Sequence, residues 1–235
     1  MNRLTKALWS LYAKSYDGLL YFWPYKNLLG LMAARSHPAA GEVMLDLGCG
    51  TGNLLKILIE ASPNAHFIGL DVSSGMLEVA RRKLAVQIKT GTVELTEGEI
   101  MTYLRQQPNA SFDVIASMNV LYTIADQTGL WYELMRVLRP GGRIIITASV
   151  RPGSGAIIAE HFAHATLWPL LRLRLLAVFI IDAIINVLGH TGHFAFSDEA
   201  TLEVAVEAAG GHMHDAVTCY GGSEKGVNTL FTVSS

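Results

Sequence analysis

A short turn rich in glycine carries the strongest chemical signal in this sequence. It follows an apolar run over 43–47, typical of a buried strand, and precedes a helical pattern over 54–61. Gly48, Gly50 and Gly52 let the backbone approach a ligand closely and adopt torsion angles that a Cβ atom disfavours. The helix that follows offers free N–H groups. The turn is therefore predicted to bind a ligand at the edge of a sheet.

Two acidic residues indicate which ligand the turn holds. Asp71 ends the second predicted strand, nineteen positions after Gly52, where a carboxylate can accept both hydroxyl groups of a ribose. Asp46, two positions before the first glycine, would repel a pyrophosphate and attract an ammonium or sulfonium group. Because Gly52 also comes one residue earlier than in the dinucleotide fingerprint, the pattern favours a cationic adenosine derivative.

Four segments follow one another in a characteristic order. They are Asp46-Leu47-Gly48-Cys49-Gly50-Thr51-Gly52, Ile68-Gly69-Leu70-Asp71-Val72-Ser73-Ser74-Gly75-Met76-Leu77, Phe112 through Leu121, and Leu138-Arg139-Pro140-Gly141-Gly142-Arg143. Together they resemble the motifs of the class I S-adenosylmethionine-dependent methyltransferases of small molecules, over about residues 40–150 and the final helix and hairpin. The resemblance implies an α/β fold with a doubly wound, Rossmann-like sheet of seven strands in the order 3-2-1-4-5-7-6, strand 7 antiparallel. It also implies S-adenosyl-L-methionine as the cofactor and methyl transfer as the reaction.

The resemblance assigns roles to individual positions around the cofactor. Gly48 and Gly50 lie against its methionine part, Asp46 helps to hold its ammonium group, and Asp71 accepts the ribose hydroxyls. The remaining assigned positions are Val72 and Met76 on either face of the adenine, Glu99 and Ile100 beside its amino group, and Asn119 along the methionine and the methyl donor. Glu99 departs from the family pattern, which usually has aspartate there.

The first predicted helix ends in a segment similar to one that closes over the cofactor in many small-molecule methyltransferases. The segment is Tyr12-Ala13-Lys14-Ser15-Tyr16-Asp17. The resemblance places the ring of Tyr16 near the sulfonium, so Tyr16 is a candidate for both cofactor binding and catalysis. The ordinary end of an amphipathic helix is the alternative interpretation, above all for Tyr12.

Charge and cysteine content exclude several classes of protein. The 235 residues carry 18 Lys and Arg against 20 Asp and Glu, a net charge of −2, which argues against a dedicated nucleic-acid binder. Cys49 and Cys219 are too few for a disulfide framework and fit a reducing compartment. The N-terminal residues lack the apolar run of a signal peptide. The sequence therefore favours a cytoplasmic enzyme that acts on a small molecule.

The order of predicted elements is that of one domain with four segments. These are a helical cap over 1–40, a cofactor-binding core of alternating strands and helices over 41–150, a helical insertion over 151–196, and a last helix with a closing hairpin over 197–235. The insertion contains an apolar stretch over 156–189. Arg172, Arg174 and Asp182 interrupt it, which argues against a transmembrane helix.

Three roles remain open for this apolar stretch. It can cover an apolar substrate pocket as a lid, pack on the sheet or on a second subunit of a homodimer, or dock peripherally on a membrane surface.

After the fourth strand the sequence lacks the Pro-Pro-Tyr and Pro-Cys motifs of enzymes that methylate nucleobases. We therefore predict a small, apolar organic acceptor methylated at O, N or C, with a membrane lipid or quinone-like molecule as the alternative.

His190 and His193 are the candidates for a general base acting on the acceptor, because an imidazole titrates near neutrality. A metal site built from such H-x-x-H pairs is the alternative, and we predict no metal.

Two other function classes compete with an active methyltransferase. One is a cofactor-binding module without turnover, and the other is a nicotinamide oxidoreductase, which Gly52 and Asp46 disfavour.

Overall fold

The computed structural model describes residues 3–149, 160–161, 180, 183–184, 187–189, 194–220 and 226–235. The described chain begins with two helices, α1 (Arg3–Tyr16) and α2 (Trp23–Ser36), joined by a 3-10 helix over Asp17–Tyr21. Most of the predicted insertion, with Arg172, Arg174 and Asp182, lies outside the described residues. Among the helices that are described, none is long and apolar enough to cross a membrane.

Strands and helices alternate after the cap, as the sequence predicts. In chain order they are β1 (Val43–Leu47), α3 (Asn53–Ala61), β2 (His66–Asp71), α4 (Ser74–Lys83), α5 (Ala85–Lys89), β3 (Val93–Glu97), α6 (Ile100–Gln106), β4 (Phe112–Ser117), a 3-10 helix (Leu121–Thr123), α7 (Gln127–Val137) and β5 (Leu138–Ser149). The last elements are α8 (Glu199–Ala208), β6 (His212–Cys219) and β7 (Asn228–Ser234).

The seven strands form one mixed sheet in the order β3-β2-β1-β4-β5-β7-β6. Strands β3, β2, β1, β4 and β5 pair in parallel, whereas β7 is antiparallel to both β5 and β6. This confirms the predicted strand order and the predicted direction of strand 7. The carboxyl ends of the parallel strands therefore meet the amino end of β7 at one edge of the sheet, where ligands bind in open α/β folds.

Burial on both faces of the sheet explains why its central strands are so apolar. In β1, Met44 faces a layer that includes α2, α3 and α4, and Leu45 and Leu47 face a layer that includes α6, α7 and α8. All three side chains are buried. Parallel strands covered on both faces have continuous apolar sequences of this kind.

The starts of two strands differ from the prediction by more than one residue. The fifth strand is predicted over 143–148 but begins at Leu138, because Leu138 pairs with Phe112 before the register shifts. The sixth is predicted to begin at Asp215 but starts at His212, and Asp215 itself has a positive φ within an irregular stretch of pairing. The sequence predicts a helix start at Ser197-Asp198-Glu199, and Asp198 caps the last helix there, since its carboxylate accepts the Thr201 N–H at 2.9 Å.

Candidate functional site

The glycine turn connects β1 to α3 at the carboxyl edge of the sheet. Gly48, Gly50 and Gly52 have φ values of +73°, +55° and +76°, which side chains with a Cβ rarely adopt. A Cβ at Gly48 would also overlap the side chain of Val120, which follows β4. Substitution of this glycine would therefore displace either the turn or the loop after β4.

Asp71 ties the glycine turn to the next helix. One oxygen of its carboxylate accepts the Gly50 N–H at 2.9 Å, and the other accepts the Ser73 N–H at 2.8 Å. Burial raises the pKa of Asp71, and these backbone hydrogen bonds oppose the rise. Because a carboxylate has about four acceptor positions, both oxygens retain capacity for the two hydroxyls of a ribose.

Asp46 is a buried carboxyl group with an unsatisfied oxygen. Its side chain is 2% exposed, and Oδ2 has no hydrogen-bond partner among the described residues. Burial, and to a smaller extent the charge of Asp71, raises the pKa of Asp46 to about 7. A buried carboxylate without a partner is costly unless a cation neutralises it. Asp46 therefore fits the ammonium group of S-adenosyl-L-methionine.

The residues predicted to surround the adenine lie beside Asp71. Met76 is buried in the first turns of α4, and Val72 and Ile100 are partly buried. Glu99 is exposed directly before α6, and its carboxylate lies 3.4 Å from the Lys6 ammonium. This ion pair engages Glu99 with α1, and its predicted contact with the adenine amino group stays a prediction.

Helix α1 lies across this edge of the sheet. Lys6 reaches Glu99, and the hydroxyl of Ser10 lies 3.0 Å from that of Ser73, which caps α4. One to two turns later, Tyr16 Cε1 lies 3.8 Å from the position of a Cβ on Gly50. The cap thus covers the predicted positions of the adenine, the ribose and the methionine in succession.

Tyr16 stands within a cluster of tyrosines. Its ring centroid lies 5.1 Å from that of Tyr12 and 6.1 Å from that of Tyr25, both with edge-to-face geometry. Burial, together with Tyr25, Tyr12, Tyr220 and Tyr122 in decreasing order, raises the pKa of Tyr16 well above its ordinary value. Tyr16 therefore stays protonated near neutral pH and offers an aromatic ring rather than a base.

A polar latch, composed of Asp17, Thr51 and Lys83, fastens the cap to the glycine turn. The Thr51 hydroxyl donates to Asp17 Oδ1 at 2.6 Å, and the Lys83 ammonium lies 3.0 Å from Asp17 Oδ2. The Lys83 ammonium also donates to Asn53 Oδ1. Burial lowers the pKa of Lys83, which the charge of Asp17 opposes. The sequence pattern includes Asp17 in the closing segment but does not reveal its partners.

We expect Asp17→Ala to weaken binding of S-adenosylhomocysteine about three- to tenfold, because the cap then loses its attachment to the turn. Calorimetric titration measures this effect. Arg82→Ala is the matched control, since Arg82 neighbours Lys83 on α4 and pairs with Glu78 at the surface. Its affinity should change less than about twofold. Equal affinities for Asp17→Ala and the wild type would show that the latch does not support the site.

Asn119, in the loop that follows β4, lies in a polar network. Its φ is +59°, its backbone N–H donates to Thr147 Oγ1 at 2.7 Å, and its Nδ2 donates to the Tyr220 hydroxyl at 3.1 Å. Its Oδ1 accepts from Asn228 Nδ2 at 2.7 Å. The amide of Asn119 thus contacts β5, the end of β6 and β7. Sequence reasoning missed Thr147, Tyr220 and Asn228, because no motif marks them.

Several aromatic residues pack together near the loop that follows β4. The Tyr122 ring stacks on Phe196 at 5.7 Å and meets Phe194 edge-to-face at 5.1 Å. Near the start of the predicted insertion, His161 accepts the Trp23 N–H at 3.3 Å and packs against Phe22. The two histidines predicted as general bases, His190 and His193, lie outside the described residues.

Comparison with known sequences agrees with this geometry. Residues 38–172 match the family described as "Methyltransferase domain". The match covers more than half of the chain and includes the glycine turn, Asp71 and the strand that precedes Asn119. The chain belongs to the class I S-adenosylmethionine-dependent methyltransferases.

Curated relatives of this methyltransferase differ in the reactions that their names state. An uncharacterized methyltransferase of Anoxybacillus flavithermus is 32% identical over 177 residues, which cover 68% of this chain and 76% of that protein. A demethylmenaquinone methyltransferase of Symbiobacterium thermophilum is 33% identical, covering 56% and 52%. A trans-aconitate 2-methyltransferase of an Acidovorax species is 36% identical, covering 49% and 41%. The chain spans about half the length of the last two relatives.

Solved structures share the fold of this methyltransferase. The cyclase SpnF superposes with a TM-score of 0.68 at 16% identity, covering 98% of this chain and 95% of that one. Phosphoethanolamine N-methyltransferase 2 of Haemonchus contortus, in complex with S-adenosyl-L-methionine, gives a TM-score of 0.57 at 20% identity, covering 80% and 38%. At such identities the likeness concerns the fold alone.

Proposed function

We propose that this chain binds S-adenosyl-L-methionine and transfers its methyl group to a small, lipophilic acceptor. The observation that carries the proposal is the buried carboxyl group of Asp46, whose Oδ2 has no partner in the described part of the chain, beside a glycine turn held by Asp71. A nucleoside with a cationic amino-acid tail satisfies both carboxylates. An anionic dinucleotide would bring its pyrophosphate close to the Asp46 carboxyl group, where it needs hydrogen-bond donors.

The residues of this site have separate tasks in an in-line displacement. When bound, S-adenosyl-L-methionine supplies a methyl group on a positively charged sulfur; the sulfur–carbon bond breaks as the acceptor forms a new one. Asp46 holds the ammonium group of the donor and Asp71 its ribose, and Gly48 and Gly50 allow close approach to the backbone. Tyr16 covers the turn and excludes water, since alignment and water exclusion are the main demands of such a reaction.

The described residues on the acceptor side favour an uncharged acceptor. Asn119, Thr147, Tyr220 and Asn228 are neutral hydrogen-bonding groups, and Tyr122 with Phe194 and Phe196 adds an aromatic surface. A polycarboxylate such as the trans-aconitate named for one relative would need cationic partners here. A lipophilic acceptor with a hydroxyl or amino group suits this chemistry better.

We further propose that the insertion acts as a lid over the acceptor. His161 contacts the cap at Phe22, whereas Ala195 donates its N–H to the Tyr122 carbonyl at 2.8 Å. The insertion is thus attached to the cap at His161 and to the loop after β4 at Ala195. Such a placement supports a cover for the site, with His190 or His193 as the base where the acceptor must lose a proton.

Transfer of a radiolabelled methyl group tests the proposed function. We expect the protein to label at least one member of a panel of lipophilic phenols, alcohols and amines, and to leave trans-aconitate unlabelled. Asp71→Ala should abolish the labelling. Binding of S-adenosylhomocysteine without transfer to the panel would contradict methyl transfer to such acceptors, and labelling of trans-aconitate alone would contradict the assignment of a lipophilic acceptor.

A further inference from the structure

Asn228, like Asp46, has a buried polar side chain with an atom that forms no hydrogen bond to the described residues. Both lie at the carboxyl edge of the parallel strands. Asn228 is the first residue of β7 and is 1% exposed, and its Oδ1 has no hydrogen-bond partner among the described residues. A buried amide oxygen without a donor is expensive, so native structures usually supply one from protein, water or ligand. Asn228 and Asp46 thus lie at the same edge of the sheet, on β7 and β1, with different chemical requirements.

The orientation of the Asn228 amide follows from its neighbours. The Asn119 N–H donates to Thr147 Oγ1, so the Thr147 hydroxyl can direct its own hydrogen to Asn119 Oδ1, 3.4 Å away. With that hydrogen directed to it, Asn119 Oδ1 acts as an acceptor, and the group of Asn228 that faces it at 2.7 Å is the donor Nδ2. Rotating the Asn228 amide would bring two oxygens together. Oδ1 is thus left to accept a hydrogen bond from another source.

A chain of contacts connects Asn228 to the position proposed for the methyl donor. Asn119 connects Asn228 to the Tyr220 hydroxyl, and Tyr220 is one of the residues that raise the pKa of Tyr16. Val120, next to Asn119, lies against Gly48 in the turn. The chain of contacts from Asn228 therefore ends where the methionine part of the cofactor is proposed to bind.

We propose that Asn228 Oδ1 accepts a hydrogen bond from an O–H or N–H group of the methyl acceptor, and that Asn119 positions the Asn228 amide for this contact. The inference rests on the proposed function and narrows the acceptor to an uncharged lipophilic molecule that carries such a donor. A flat aromatic hydroxyl compound would match the cluster of Tyr122, Phe194 and Phe196 rings, since Tyr122 follows Asn119 by three positions.

A pair of probes that differ in one hydrogen-bond donor tests this inference. Protein saturated with S-adenosylhomocysteine is titrated with 1-naphthol and with 1-methoxynaphthalene. We expect the wild type to bind the naphthol about tenfold more tightly, because the ether leaves the buried oxygen unsatisfied. Asn228→Leu should reduce this preference to less than about twofold, and Asn228→Asp should retain part of it, since an acceptor oxygen remains.

Thr229→Val serves as the matched control, because Thr229 is the next residue of β7 and is also buried. This substitution should leave the preference for the naphthol unchanged. Equal affinities of the wild type for the two probes, binding of neither probe, or a preference that persists in Asn228→Leu would overturn the role of Asn228. S-Adenosylhomocysteine binding is measured for every variant. If the wild type failed to bind it, the proposed function itself would fail, whereas intact binding without a naphthol preference would refute this inference alone.

Discussion

Asp71→Ala should weaken the binding of S-adenosylhomocysteine by about 100-fold or more. The carboxylate offers two acceptors to the ribose hydroxyls, and each charge-assisted hydrogen bond contributes about 1.5–3 kcal/mol. The substitution also removes the bonds from the Gly50 and Ser73 N–H groups, so the turn and the start of α4 lose the connection that Asp71 provides. Calorimetric titration measures the affinity, and thermal unfolding shows that the variant remains folded.

Glu97→Ala is the matched control for this prediction. Glu97 lies beside Asp71 in the β2–β3 register, is exposed, and carries the same charge. Its removal should change the affinity less than about threefold, because an exposed charge is screened by water. Similar losses in the two variants would show that the charge of this region, not the ribose contact of Asp71, governs binding.

Asp46→Asn should affect stability and binding in opposite directions. In the folded, ligand-free protein the pKa of Asp46 is about 7, well above its ordinary value, so the folded state holds a proton that the unfolded state releases. The wild type therefore loses stability as the pH rises from about 4 to about 7, on the order of 2–4 kcal/mol from this group. Unfolding in urea across this range should show that loss in the wild type and its absence in Asp46→Asn.

The same variant should bind S-adenosylhomocysteine at least about 30-fold more weakly at pH 7.5, because the ammonium group loses its buried counter-ion. In the wild type, Asp46 must release its proton to pair with that ammonium. Its affinity should therefore fall roughly tenfold from pH 7.5 to pH 6, whereas that of Asp46→Asn should not. A wild-type affinity independent of pH over this interval would contradict the role assigned to Asp46.

The fold could be predicted largely because its signals are local. The glycines at 48, 50 and 52, the strand-ending Asp71 and the helix start near Asp198 each depend on short-range chemistry. The strand order, which the structure confirms, is implied by the family resemblance of the motifs. Strand limits were harder to predict, since the early start of β5 depends on pairing with Phe112.

The acceptor side of the site could not be predicted in the same way. Asn119 meets Asn228 only because β4 and β7 approach at one edge, more than a hundred positions apart in the chain. The contact of Lys83 with Asp17 likewise depends on how α1 crosses α4. Such contacts arise from tertiary packing, and a single sequence contains no local pattern for them.

Titration of the wild-type protein with S-adenosyl-L-methionine and, separately, with NAD tests the central claim most directly. The site described above predicts one molecule of S-adenosyl-L-methionine per chain, displaced by S-adenosylhomocysteine, and no heat with NAD. A folded protein that binds NAD, or that binds neither compound, would contradict it.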